Sequence, residues 1–248
     1  MQRYFAENLG DTFLIKEDDF HHITRVMRMK LGDEIYCVNS NQQTARCSIE
    51  NITENEIEAK VVQWVDGDME LPVTVTIVSG LPKGDKLEWI IQKGTELGAH
   101  EFIPFIASRS IVKWDAKKSD KKISRWNKIA KEAAEQSHRA VLPNVSTPVS
   151  VKELIKKAAE YDVKIVAYEE EAKLGETANL AKALSSLNKG KTLLAVFGPE
   201  GGLTDSEVEL LMENGFIACG LGPRILRTET APLYLLSAVS YHFELLNR

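Results

Sequence analysis

The sequence predicts an α/β protein of two domains: a small β-barrel carrying one helix, then a larger α/β domain with a mostly parallel sheet. Three observations lead there. The first 70 or so residues hold short segments of alternating polarity separated by turn formers. After residue 73, strand-like and helix-like segments alternate, the pattern of a parallel sheet with helical crossovers. The chain has 248 residues, 44% hydrophobic and 27% charged, which suits a globular protein of one large or two ordinary domains. The expected domains are 1–70 and 73–248, with 66–72 as the linker.

In the first domain, 12–15, 34–38, 44–49 and 56–62 read as strands, broken at Leu31-Gly32-Asp33 and Thr53-Glu54-Asn55. Residues 18–29 read as a helix with Phe20, Ile23, Val26 and Met27 on one side. In the second domain, 73–78, 101–106, 163–168 and 192–197 are the expected strands, the last two apolar enough to be covered on both faces. Between them fall a helix over 85–97 stopped by Gly98, and a long one over 119–139 closed off by Pro143. Ile123, Trp126, Ile129, Ala130 and Ala133 give that long helix its 3–4 spacing. Further helices are expected over 151–161 and 176–187. Thr204 and Glu207 form a capping box that opens another, and a last helix covers 232–246.

Composition narrows the function classes. Cys37, Cys47 and Cys219 show no CxxC and no histidine at metal-like spacing, so reduced thiols are expected, with neither a disulfide framework nor a metal site. No run approaches the roughly 18–20 apolar residues of a bilayer span. The N-terminal residues carry no apolar signal-peptide core, and a cytoplasmic address without membrane association is expected. The net charge of −5 argues against a polyanionic partner, but its distribution is uneven. Lys and Arg against Asp and Glu number 7 against 14 over 1–72, 13 against 8 over 73–148, and 11 against 14 over 149–248. The central excess comes from Arg109, Lys113, Lys117, Lys118, Lys121, Lys122, Arg125, Lys128, Lys131 and Arg139. A nucleic-acid surface and a solvated helix face both fit this cluster, because screening confines each charge to about 8–10 Å.

In open α/β sheets, ligands sit beyond the carboxyl ends of the strands. Two such ends are unusual here. Phe197-Gly198-Pro199-Glu200-Gly201-Gly202 follows a buried strand and precedes the capped helix, with more glycine than a tight turn needs. Residues 220–231 combine glycines with Arg224, Arg227, Glu229 and two threonines. Thr230 suits the cap of the last helix, with Pro232 at an early helical position. Nucleotide signatures fail: there is no phosphate loop, the 220–225 string lacks the third glycine of a dinucleotide fingerprint, and GLPKGDK (80–86) has a glycine–lysine pattern at the wrong spacing. His21, His22, His100, His138 and His242 form no catalytic cluster.

The strings GPEGGLTDSEVE (198–209) and LGPRILRTETA (221–231) resemble the signature of the ribosomal RNA small subunit methyltransferase E family, within the SPOUT class of knotted methyltransferases. Supporting matches run along the whole chain: MQRYF (1–5), HITRVMR (22–28), KGTELG (93–98), SRS (108–110) and EQSHR (135–139). The resemblance implies a PUA-like N-terminal barrel, a C-terminal domain with a trefoil knot, and a homodimer. It further implies methylation of N3 of a uridine in the decoding region of 16S ribosomal RNA, free or in the small ribosomal subunit, with S-adenosylmethionine as donor. A related enzyme acting on transfer RNA and a non-enzymatic RNA-binding protein are the alternatives.

Carried onto this sequence, the resemblance puts the donor at Gly198, Glu200, Gly201, Gly202, Leu221, Gly222, Ile225, Leu226, Arg227, Thr230 and Ala231, with Tyr168 and Glu169 as a third wall. Arg109, Arg139, Arg227 and Glu229 are the catalytic candidates on the acceptor side, Glu229 as a base. Arg3, Arg25, Arg28, Arg109 and Arg139 are expected to contact RNA.

Overall fold

A computed structural model of the chain describes residues 1–67, 69–112, 114, 119–169 and 178–246. The expected basic residues Lys113, Lys117 and Lys118 lie outside the described residues, as do Asp68 of the expected linker and Glu176 and Thr177 of the expected 176–187 helix. The chain divides into two compact units, 1–70 with 134–142, and 71–133 with 143–246 among the described residues.

The first unit is a curled six-stranded sheet. Its strands are β1 (Arg3–Phe5), β2 (Glu7–Leu9), β3 (Thr12–Lys16), β4 (Glu34–Val38), β5 (Thr44–Ile52) and β6 (Glu56–Val65). They follow the order β1-β4-β5-β6-β3-β2, with β1 parallel to β4 and the other pairs antiparallel. Period-two alternation turns Phe13, Ile15, Ile35, Cys37, Ala45, Cys47, Ile49, Ile57 and Ala59 into one core. Register shifts at Arg46/Cys47 and Ile49/Asn51 bend the long β5–β6 ladder, as bulges do.

The expected 18–29 helix differs in form. It is a short α-helix, α1 (Glu17–His21), continuing into a π-helical segment, His22–Met27, and ending at Arg28 with a left-handed φ of 54°. Phe20 and Ile23 are buried, but Val26 and Met27 are exposed. The reason is helical pitch: hydrogen bonds to the fifth residue widen the turn, so the 3.6-residue stripe no longer holds beyond Ile23.

The second unit carries a six-stranded, wholly parallel sheet. Its strands are β7 (Thr74–Gly80), β8 (Glu101–Phe105), β9 (Asn144–Val145), β10 (Val163–Ala167), β11 (Thr192–Phe197) and β12 (Ile217–Cys219), in the order β12-β10-β11-β7-β8-β9. Its helices are α2 (Lys86–Glu96), α3 (Ser119–Gln136), α4 (Val151–Ala158), α5 (Asn179–Ser186), α6 (Asp205–Glu213) and α7 (Thr230–Ser240). The last residues of α3 group with the first unit.

Alternate residues of β11 serve opposite cores. Leu193, Ala195 and Phe197 pack with Ile90, Trp126, Leu184 and Leu235 of α2, α3, α5 and α7. Leu194 and Val196 pack with Leu154 of α4 and with Val208 and Leu211 of α6. A strand covered on both faces must be apolar at every position, which is why 192–197 lacks alternation. Among the described residues, no helix is long and apolar enough to cross a membrane.

Two boundaries shift for identifiable reasons. The long helix stops at Gln136, three residues short of the expected end, because His138 takes a left-handed φ of 61° and the Arg139 N–H closes back on the Ala134 carbonyl. The last helix begins at Thr230 with Glu229 as its cap residue, so Thr230 is not the cap. It continues past Ser240 as π-helical turns, Tyr241–Leu246.

Candidate active site

Three parallel strands end side by side. β10 runs into Tyr168 and Glu169, β11 into the glycine turn 198–202, and β12 into the loop 220–229. Between these ends lies a cavity of about 750 Å³, within the roughly 300–1,000 Å³ of small-molecule sites. Of the residues expected to hold a donor, Tyr168, Glu169, Gly198, Glu200, Gly201 and Gly202 line it from one side. Leu221, Gly222, Ile225, Leu226 and Ala231 line it from the other. Arg227 and Thr230 are exposed and are not among the lining residues. The Arg227 carbonyl instead accepts the N–H groups of Thr230 and Ala231 at 2.8 and 3.0 Å, starting α7.

The wall also contains residues that the sequence assigns to neither donor nor acceptor, notably Asp205, Cys219, Arg224 and Thr228. Asp205 is legible in sequence only as the first residue after a helix cap. In the fold its Oδ1 accepts the Tyr168 hydroxyl at 2.8 Å, tying the end of β10 to the start of α6.

The glycine turn is held from outside. The Arg109 Nη1 donates to the carbonyls of Gly201 at 3.3 Å and Leu203 at 3.1 Å. A Cβ on Gly201 would stand 3.0 Å from Arg109 Cβ and 3.1 Å from its carbonyl oxygen. Bare backbone is therefore needed at Gly201 for the clasp as well as for the cavity. Arg109, expected on the acceptor side, lines the cavity and also braces the turn, so Arg109→Ala should weaken any ligand the turn holds.

Glu207 anchors Ser108, the residue before Arg109. Its Oε2 accepts the Thr204 N–H at 2.9 Å and the Thr204 hydroxyl at 3.0 Å, while its Oε1 accepts the Ser108 N–H at 2.8 Å and the Ser108 hydroxyl at 3.0 Å. The Thr204 Oγ1 accepts the Glu207 N–H at 3.2 Å, completing the capping box. Burial pushes the Glu207 carboxyl up, but these hydrogen bonds from Thr204 and Ser108 outweigh it and hold it below the usual carboxylate range. A carboxyl with a depressed folded pKa stabilises fully above its unfolded value, about 4.3, and loses that contribution as pH falls through the folded value. Glu207→Gln is accordingly expected to cost roughly 1–3 kcal/mol at neutral pH. The gap in thermal midpoint between it and wild type should shrink below about pH 4; a gap that is constant down to pH 2.5 or so would remove Glu207 from this role.

On the opposite side, the Lys86 ammonium lies 3.0 Å from Glu200 Oε1 and 3.4 Å from Glu229 Oε2. Glu200 Oε1 also accepts the Lys83 N–H at 3.1 Å. Burial raises the Glu200 carboxyl, and the Lys86 ammonium and backbone N–H groups more than reverse it, leaving a net lowering. Glu229 is not among the lining residues, and its Oε2 is buried without a hydrogen bond of good geometry among the described residues. Its place at the cap of α7, ion-paired with Lys86, sets the carboxylate expected as a base just outside the cavity lining.

The remaining cations divide between surface and interior. Arg25 and Arg28 are exposed on the π-helical segment of the first unit. Arg3 and Arg139 are only 8% and 3% exposed. The Arg139 guanidinium bonds the Glu70 carboxylate through Nε, at 3.0 Å to Oε2, and through Nη2. Arg3 Nη1 donates to the Arg139 carbonyl at 2.9 Å. Arg3 and Arg139, both expected to contact RNA and Arg139 also to act in catalysis, thus lie in an interior network of the first unit. Of the basic residues of α3, Arg125 pairs with Glu88 at 2.7 Å and Lys122 stacks over Trp114.

A curled, mostly antiparallel sheet followed by a parallel sheet with a glycine-lined cavity at its carboxyl edge is the arrangement of a PUA domain followed by an RNA methyltransferase domain. Family models match in that order: an RNA methyltransferase PUA domain over residues 15–62 and an RNA methyltransferase domain over 69–240. The chain belongs to the ribosomal RNA small subunit methyltransferase E family. It is 54% identical to the member from Bacillus subtilis, covering 99% of this chain and 98% of that one. It is 32% identical to the member from Mycobacterium bovis, covering 95% and 90%. The crystal structure of the Neisseria gonorrhoeae member bound to S-adenosyl methionine aligns with a TM-score of 0.83 at 28% identity over 98% of both chains.

Proposed function

We propose that this protein transfers a methyl group from S-adenosylmethionine to N3 of a uridine in the decoding region of 16S ribosomal RNA. The observation that carries this reading is the meeting of the 198–202 and 221–231 segments around one cavity, with backbone left bare at Gly198, Gly201 and Gly202. An adenosyl group needs such close backbone approach, and the volume suits it. Gly198, Glu200, Gly201, Gly202, Leu221, Gly222, Ile225, Leu226 and Ala231 would enclose the donor, with Tyr168 and Glu169 at its edge.

The donor supplies a methyl group already activated on a sulfonium. What the chain must add is alignment and charge. A neutral imide nitrogen is a poor nucleophile, so the N3 proton must pass to solvent water, placing negative charge on the uracil oxygens; N3 then takes the methyl as the methyl–sulfur bond breaks and the neutral thioether leaves. Arg109 and Arg224, both at the cavity, offer positive charge there, and Arg227 stands on the same loop. N3 lies on the pairing edge of the base, so the nucleotide must be unpaired or flipped. Arg25 and Arg28 supply phosphate contacts from the first unit, and binding should weaken steeply with salt.

The family resemblance supports a trefoil knot, a cytoplasmic location and a homodimer. The exposed Tyr234, Tyr241, Leu245 and Leu246 along the last helix and its extension favour the dimer. Mass spectrometry of 16S ribosomal RNA from a strain lacking the gene tests the reaction. N3-methyluridine should be missing from the decoding region and return with the wild-type gene; its persistence in the deletion strain would refute the assignment.

A further inference from the structure

The string GLPKGDK (80–86) has no place in the donor cavity, yet three of its groups converge on the glycine turn. Gly80 ends β7 against that turn. A Cβ there would stand 2.4 Å from Pro199 N and 2.9 Å from Gly198 C, so only hydrogen fits between the two backbones. Three residues on, the Lys83 N–H holds Glu200 Oε1. Three further, Lys86 at the first turn of α2 places its ammonium between Glu200 and Glu229.

These two carboxylates stand on the two segments that form the cavity. Glu200 lies in the 198–202 turn, and Glu229 caps α7 two residues before the cavity residue Ala231. Their side chains are 26% and 25% exposed, partly withdrawn from solvent screening, and both point to one cation. Without that cation, two like charges would face each other across the joint and drive the segments apart. One ammonium thus joins α2, the glycine turn and the entry of α7.

We infer that residues 80–86 form a platform beneath the donor site and that Lys86 is its positioning residue, fixing the distance between the two walls by bridging Glu200 and Glu229. This rests on the reading that the cavity binds S-adenosylmethionine. Lys86 is not among the cavity-lining residues, so its removal acts through the walls.

Calorimetric titration of the full-length protein with S-adenosylmethionine tests this. Lys86→Met should raise the dissociation constant about tenfold, in the range of couplings between residues of one ion-pair network, while the thermal midpoint stays within a few degrees. Lys86→Arg, which keeps the bridge, should recover most of the affinity. In a double-mutant cycle with Glu200→Gln, the combined loss should fall well short of the product of the single losses. Wild-type affinity in Lys86→Met, losses that multiply, or a weakened affinity that tracks a collapsed thermal midpoint would each overturn the positioning role. If wild type itself failed to bind the donor, the cavity assignment would fall first and this inference with it.

Discussion

Replacing Gly201 by valine is expected to raise the dissociation constant for S-adenosylmethionine by about 100-fold, near the upper end of the 1–3 kcal/mol that overpacking costs. The Cβ alone would press on Arg109 Cβ at 3.0 Å and on the Arg109 carbonyl at 3.1 Å, and branching adds two more carbons. Neither neighbour yields easily. Arg109 follows Ser108, which Glu207 holds by two hydrogen bonds, so the strain passes to the glycine turn. The damage is thus aimed at the cavity wall while the two cores of the parallel sheet are untouched. The thermal midpoint should fall by about 5–11 °C, at 2–4 °C per kcal/mol for chains of this size, short of global unfolding. Arg109→Ala keeps the Cβ and carbonyl that border residue 201 but removes the guanidinium clasp on Gly201 and Leu203, and should weaken the donor less. Wild-type donor affinity in the valine variant would remove this turn from the site.

The same residues show what a sequence discloses about a site. The glycine turn and the capping box at Thr204 are local, so their chemistry is written within a few positions. The interactions that brace them are not. Ser108 and Glu207 are 99 residues apart, Arg109 and Gly201 are 92 apart, and Lys83 and Glu200 are 117 apart. No spacing rule reaches across such intervals. Glu229 shows the same gap: a carboxylate among arginines and threonines suggests a base, and its ion-pair partner Lys86 belongs to a distant helix that the local string does not disclose. Secondary structure failed where period gave no warning. β1, β2 and β9 have only two or three residues, too few for alternation to be visible. The end of α3 depends on a histidine in the left-handed region, where glycine would have announced the stop.

Arg139→Ala is expected to destabilise the first unit by about 3–5 kcal/mol, the cost of leaving one partner of a buried ion pair alone. Glu70 would lose the guanidinium that balances its charge while keeping the N–H groups of Ala140 and Val141, at 2.9 and 3.0 Å. Arg3 would keep its bond, since the carbonyl it donates to is the backbone of residue 139 and survives the substitution. Arg139→Lys restores charge but not the planar fork that meets both Glu70 oxygens, and should recover only part of the loss. Chemical denaturation measures the stabilities; RNA binding at several salt concentrations, on protein kept folded, separates structure from recognition. Removing Arg25 or Arg28 should lower the salt slope by about one for each phosphate no longer neutralised, whereas Arg139→Ala should leave the slope unchanged. Unaltered stability together with a lower slope for Arg139→Ala would return this arginine to the RNA surface.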